Sequence, residues 1–440
     1  MFTSLLSLLQ VTAVDCMESL SLVPLYREAP ARFPLAVLES LIVLLGQLHI
    51  DQTILAKHIG GCAISIIVAL GQMGAQLTDA TIRGSLLRIL FQALLKEDVQ
   101  SAQGAARRDI LYMVLLRFLW WERLFSLIAS YLKGVSQFHV ILLPVQASVP
   151  GVISSLSRDI ISQGCSGHSA ALPLLALLIR ADKQGLVVQQ LLQRVDVILA
   201  LLNLFQSVDV GLLETTPAAQ EQRRSVRQLL TLLLMLASSR DGAMALLSMS
   251  VFGALTHSPL LLTLRDSYQA LTLTAQQKDA LRNILHQFLQ LALRLHESVE
   301  SIRSVQAELA SFVQALIPLS SLIFKDREGD QVLAMDILGL YLGVLVVLAD
   351  EREQFSRSLH GYETVLKTEV ISLLNYISKQ ETCSFICHQI RGGSKLSTEV
   401  LRDSKQDALN LIAVENGMLF MSKMGWKIGD EYVRAFGVKE

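Results

Sequence analysis

Cys383 and Cys387 lie one helical turn apart and are followed at once by His388, the grouping in this chain that comes nearest to a metal site. A structural zinc ion takes four ligands, usually from two such pairs, and the sequence holds no second pair. The cysteines therefore read as small buried groups on one helix face. Gly164-Cys165-Ser166-Gly167-His168 sets a thiol and a hydroxyl near an imidazole. It lacks the G-x-S-x-G elbow and follows no strand pattern, so it reads as a Gly/Ser connection between helices. The glycines form neither G-x-G-x-x-G nor G-x-x-x-x-G-K-[ST], and there is no H-E-x-x-H. The expectation is a non-enzyme with no catalytic residue, no metal and no cofactor.

Aromatic residues offer contact rather than catalysis. Leu419, Phe420, Met421, Trp426, Tyr432 and Phe436 place large apolar groups beside charges near the C-terminus. That mixture suits a protein-binding surface and equally a terminal helix folded back on its neighbours, with Phe420, Trp426, Tyr432 and Phe436 as the candidate contacts. Trp120 and Trp121 are adjacent, so on a helix they point about 100° apart and cannot both face one seam. The pair reads as buried in a thick helical stack, or with one ring turned to a neighbouring subunit. Two basic clusters, Arg107-Arg108 and Arg223-Arg224-Arg227, each sit near the start of an expected helix and read as solvated helix faces. A net charge of −1 supplies no general attraction to phosphate backbones, which disfavours nucleic acid as a partner.

The elements that carry these residues are helices. Hydrophobic residues make up 52% of the chain and charged ones only 18%, with a mean hydropathy of +0.45. A chain so apolar buries its helices on most sides. The long charge-free stretches, residues 58–78, 134–157 and 242–264, contain Gly, Gln, Ser, His or Pro, and the purest run, residues 332–349, is interrupted by Asp336. These read as buried helices, so no direct membrane insertion is expected. The first basic residue is Arg27, which leaves the apolar start without the charged region of a secretory signal. Five dispersed cysteines fit a reducing compartment.

Helical spacing recurs almost everywhere and strand alternation is scarce. Thr274 and Gln277 form a capping box ahead of Leu281, Ile284, Leu285, Phe288, Ala292 and Leu295 on one face, with Asp279, Arg282, His286 and Gln290 on the other. Thr216 caps a helix that opens at Pro217 and runs to Ala237. Other helices are expected over residues 34–50, 78–97, 99–133 (one long or two abutting), 301–325, 329–349, 362–379, 382–390 and 397–421. Single cores stop growing near about 250–300 residues, so length favours an irregular, HEAT- or armadillo-like α-solenoid running continuously over 1–440, with a soft boundary near 207–220. The first helix, residues 2–23, is apolar all round and carries no charge before Asp15. Leu5 and Leu9 are candidate contacts there, for a partner or for repeats upstream.

One series goes beyond generic helices. Leu156-Ser157-Arg158-Asp159, Gly167-His168, Leu174 to Leu178 and Asp182-Lys183-Gln184, followed by a helix from Val195 to Leu204, resemble in their order a segment in the C-terminal part of the large inner-ring scaffold nucleoporins. Gly242-Ala243, Leu246-Leu247 and Val251-Phe252 resemble the next helical turn of that family. The resemblance implies a non-enzymatic α-solenoid at the nuclear envelope, in the nuclear pore complex. It would support nucleocytoplasmic transport by bridging other nucleoporins, and would bind short helical segments of a linker nucleoporin near its C-terminal end. A HEAT-like adaptor of another assembly, such as a transport receptor or vesicle tether, and a helical membrane protein are the alternatives.

Overall fold

The computed structural model describes residues 32–47, 53–72, 80–96, 102–133, 147–163, 170–182, 185–267, 273–299, 303–324, 330–359, 361–378 and 398–426. Among them the regular structure is entirely helical, with no strand. Contacts divide the chain into two compact units, Met1–Leu201 and Leu202–Glu440.

In the first unit the helices are α1 (Arg32–Gln47), α2 (Thr53–Gln72), α3 (Ala80–Lys96), α4 (Ala102–Lys133), α5 (Val149–Gln163), α6 (Ala171–Ala181) and α7 (Leu186–Leu192). A further helix, α8 (Val195–Asn203), spans the division. Packing runs in two series: α1, α3, α5 and α7 touch one after another, as do α2, α4 and α6, and sequence neighbours pair across the series. The cause is apolar breadth. Leu111, Val114, Leu115, Phe118 and Leu119 of α4 are all buried, too wide an arc for one neighbour to cover. Gly60 marks the crossing of α2 on α4, where a β-carbon would run into the Ile110 side chain. α4 is one unbroken helix to Lys133, and the side chains of Trp120 and Trp121 lie outside the described residues.

The second unit holds α9 (Pro217–Ala237), α10 (Arg240–Ser248), α11 (Val251–Thr256), α12 (Pro259–Ser267), α13 (Ala275–Val299), α14 (Arg303–Leu316), α15 (Ser320–Phe324), α16 (Gln331–Leu348), α17 (Arg352–Ser358), α18 (Glu363–Ser378) and α19 (Thr398–Lys423). One series of contacts runs α9, α13, α16, α19, while α14 joins α11 and α12 to α17. Local chemistry sets several boundaries. Thr216 Oγ1 accepts from the Ala219 amide at 3.2 Å, Asp330 Oδ1 accepts from the Leu333 amide at 3.2 Å, and the Thr274 amide donates to Gln277 Oε1 at 2.9 Å. The helix expected over residues 301–325 is broken: Pro318 cannot donate to the ladder, and a 3-10 turn at Ile317–Leu319 separates α14 from α15. The expected helices at residues 2–23 and 382–390 lie outside the described residues, as do Leu5, Leu9, Tyr432, Phe436, Cys383, Cys387, His388 and the 164–168 connection.

Candidate functional site

Arg107 and Arg108 overturn the solvated-face expectation. Both are buried, and their side chains reach α1 and α5. Arg108 forms a two-pronged pair with Asp159 of α5, Nε to Oδ2 at 2.8 Å and Nη2 to Oδ1 at 2.6 Å. The Tyr112 hydroxyl, one turn along α4, donates to Asp159 Oδ2 at 2.8 Å. A carboxylate taken out of water needs this saturation, since an uncompensated buried charge costs several kcal/mol, on the order of 3–5. The hydrogen bond that Arg108 donates to Asp159 raises the Arg108 pKa against the opposing effect of burial. Burial and the Asp159 charge push the Tyr112 phenol far above its usual range, so it stays a donor. Arg107 Nη2 donates to the Leu45 carbonyl of α1 at 3.0 Å, and Asp109 Oδ1 accepts from the Ala170 amide at the start of α6 at 2.8 Å. Three consecutive residues of α4 thus fasten three different helices.

The polar face of α13 is a seam as well. Arg282 is buried, with Nη1 on Asp279 Oδ1 at 3.1 Å, and the same carboxylate accepts from the Asp330 amide just ahead of α16. A carboxylate there lies at the positive end of the α16 dipole. His286 Nε2 meets Asp336 Oδ2 at 2.9 Å, which explains the single charge on that otherwise apolar helix. In the other basic cluster, Arg223 Nη1 reaches the carbonyls of Leu212 and Glu214 at the end of the 3-10 turn Val210–Leu213, while Arg224 and Arg227 face solvent.

The described C-terminal aromatics form a corner. Met424 bonds back to Phe420, Gly425 to Ser422 and Trp426 to Met421, with Gly425 at φ +67°: a Schellman ending that carries α19 to Lys423 and swings Trp426 back over it. Phe420, a candidate surface contact, is instead fully buried, edge-on to Phe355 and Trp426 at ring-centre distances of 6.3 and 5.3 Å. It closes the core because α17 covers its face of α19. Trp426 is half-buried. Its Nε1 donates to Glu363 Oε1 at 3.1 Å, and Glu363 Oε2 accepts from Ser356 Oγ at 2.7 Å.

Chemically, these groups hold helices together. Among the described residues no three of His, Cys, Asp or Glu converge as metal ligands, and Cys62 is buried with its thiol pKa raised by desolvation, a poor nucleophile. One described helix, α16, is long and apolar enough to cross a bilayer by length and composition, and two bent helix pairs reach that length together. In this structure 61% of the α16 window is buried against other helices. The Arg108–Asp159 and His286–Asp336 pairs, 51 and 50 residues apart, carry no local signal in the sequence. Gly425 placed four residues after Met421 was a readable stop for α19. No protein-family description matches the chain, and no curated protein matches it.

Proposed function

We propose that this chain is a non-enzymatic helical scaffold that acts through contacts with other proteins. The observation that carries the reading is the use made of its charged side chains. Asp159 fastens α5 to α4, Asp182 Oδ2 caps α7 through the Val187 amide at 2.5 Å, and Asp109, Arg107, Asp279 and Asp336 each bind another helix or its end. Two of these, Asp159 and Asp182, belong to the series that resembles the inner-ring scaffold nucleoporins. Packing on the next-but-one helix in the first unit supports an α-solenoid arrangement there, in which each repeat buries its face on its neighbours. The finer reading is a structural component of the nuclear pore inner ring. A fluorescently tagged chain is then expected at the nuclear rim and to co-purify with other scaffold nucleoporins. A diffuse distribution with none of them captured overturns the nuclear pore assignment.

The apolar composition of α16, with a mean hydropathy of 2.2, favours a second reading as a helical membrane protein. Alkaline extraction separates the two: a scaffold is released to the supernatant, and a spanning chain stays in the pellet.

A further inference from the structure

We propose that residues 2–23 of this chain cover the outer flank of α1 and close the first unit at that end. The inference rests on the stacked packing of the first unit and goes beyond the scaffold reading. α1 packs on α2 and α3, and its buried row is Leu38, Ile42 and Leu45. With about 100° between successive residues, Glu39 lies to one side of that row and Val37, Leu41 and Leu44 to the other. Glu39 marks the side toward α3, where Ser85 Oγ donates to its Oε1 at 3.5 Å. The row Val37, Leu41, Leu44 therefore lies on the flank away from α3, where the series α1, α3, α5, α7 has no earlier described member. Val37 and Leu41 are half-buried there, Leu44 is 47% exposed, and Val43, further round the helix, is exposed as well.

α3 shows what a helix with neighbours on both sides turns to water. It lies between α1 and α5, and its exposed described residues are Arg88, Gln92, Lys96 and Leu95, the last lying against Gly151 of α5. The outer flank of α1 is apolar instead, as a stacked helix is where another is to cover it. Sequence and reach name the occupant. Residues 2–23 are apolar all round the helix expected there and carry no charge before Asp15, which matches a flank row with no charge of its own. They also stand close ahead of α1 in the chain. The eight residues 24–31 that join them to Arg32 span at most about 29 Å, against about 24 Å for the whole length of α1. So tethered, the segment meets the flank at an effective concentration in the millimolar range, far above that of a second copy or a separate partner. A membrane surface is the weaker occupant, since interfacial helices carry Lys and Arg on their polar face and residues 1–26 contain neither.

The test uses the full chain with the photocrosslinker p-benzoylphenylalanine in place of Leu44, irradiated in dilute solution, with the joined peptides identified by mass spectrometry. Position 44 is joined to residues 2–23 at the mass of a single chain, and the same probe in place of Arg88, on the outer row of α3, is not. Adding Leu5→Glu/Leu9→Glu lowers the yield of that crosslink tenfold or more. Thermal melts check folding, and should the Glu variant melt early, Leu5→Ser/Leu9→Ser takes its place. Absence of a crosslink to residues 2–23, an equal yield from the double variant, crosslinks that join two chains, or loss of the crosslink when phosphatidylcholine vesicles are added overturns the proposal. A failed crosslink with the rim signal of the tagged chain intact removes this contact and leaves the scaffold reading standing.

Discussion

Tyr112 in the first unit and Tyr341 in the second are both buried at the centre of a helix packing, and their hydroxyls have opposite surroundings. Tyr112 donates to Asp159, which also takes both prongs of Arg108. Tyr341 lies fully buried on α16, edge-on to Phe324 at 5.8 Å, and its hydroxyl has no hydrogen-bond partner among the described residues. Burial pushes both phenols up, but only Tyr112 gains an acceptor in exchange for water. The first unit is fastened through a buried polar network. The second centres on an apolar helix whose polar contacts sit at its ends and rim. A saturated network fixes which helix meets which, while an apolar core tolerates substitution so long as volume is kept.

Removing the shared acceptor should have the largest effect. Asp159→Ala leaves the Arg108 charge and the Tyr112 hydroxyl buried without their partner, a loss of about 3–5 kcal/mol in urea unfolding. A loss below about 1 kcal/mol would show that water reaches the site and would end the contrast. The triple variant Arg108→Met/Asp159→Leu/Tyr112→Phe, which removes every polar member together, should recover most of that stability.

The two tyrosines give the sharper pair. Tyr112→Phe takes one of three donors from Asp159 and should cost about 1–2 kcal/mol. Tyr341→Phe removes an unsatisfied buried hydroxyl at nearly constant volume, so it should be neutral or stabilising by up to about 1 kcal/mol. The same change with opposite signs, measured by parallel thermal melts, is the expected outcome. Equal losses at both positions would mean that Tyr341 is also bonded in solution.

What the sequence disclosed follows the same line. Bonds that close within one turn were readable: Thr216 to Ala219, and the reciprocal Thr274–Gln277 box, stand where composition placed them, because the chain itself holds the partners three residues apart. Bonds between helices were not. Arg108 beside Arg107 has the same sequence appearance as Arg224 beside Arg223, yet one pair is buried and Arg224 faces solvent, since the distant partners Asp159 and Leu45 decide it. The amphipathic reading of α13 predicted its apolar face correctly and missed that Asp279 and His286 bond to Asp330 and Asp336 at α16. Pro318 and Gly425 were local signals of a break and a stop that the apolar periodicity around them masked. Of the candidate contacts, Phe420 is core and Trp426 half-buried: apolarity marked them, but their depth depends on α17 and α18, which a local pattern does not encode.

Glu308 on α14 tests the second unit's tolerance for isolated charge. Burial raises its carboxyl pKa, and Oε2 has no hydrogen-bond partner among the described residues. A carboxyl raised in the folded state binds protons more readily there than in the unfolded chain, so its contribution is present in acid and lost as pH rises through the folded value. Glu308→Gln should therefore add about 0.5 kcal/mol at neutral pH, small because the side chain is only partly buried, and add nothing in acid. A variant less stable at neutral pH would show that the ionised form is held by a favourable contact.

The smallest expected effect belongs to His296 on α13. Burial lowers its pKa, against the pull of the Asp350 and Glu297 charges, which favour the protonated ring. The folded state resists protonation more than the unfolded chain does. As pH falls below the ordinary histidine value, near about 6.5, the unfolded chain takes up a proton that the folded one does not, and stability declines until the lower folded value is passed. Asp350 is also held by Lys423 from α19, so that carboxylate is not free to turn wholly toward the imidazole. His296→Gln should flatten the decline, with a Tm difference of about 1 °C appearing only on the acidic side of neutrality. Lys423→Met should also flatten the decline, because it releases Asp350 to stabilise the protonated ring and brings the folded value back toward the unfolded one. If Lys423→Met leaves the pH dependence unchanged, His296 and Asp350 are uncoupled, and the end of α16 is as indifferent to charge as its apolar middle.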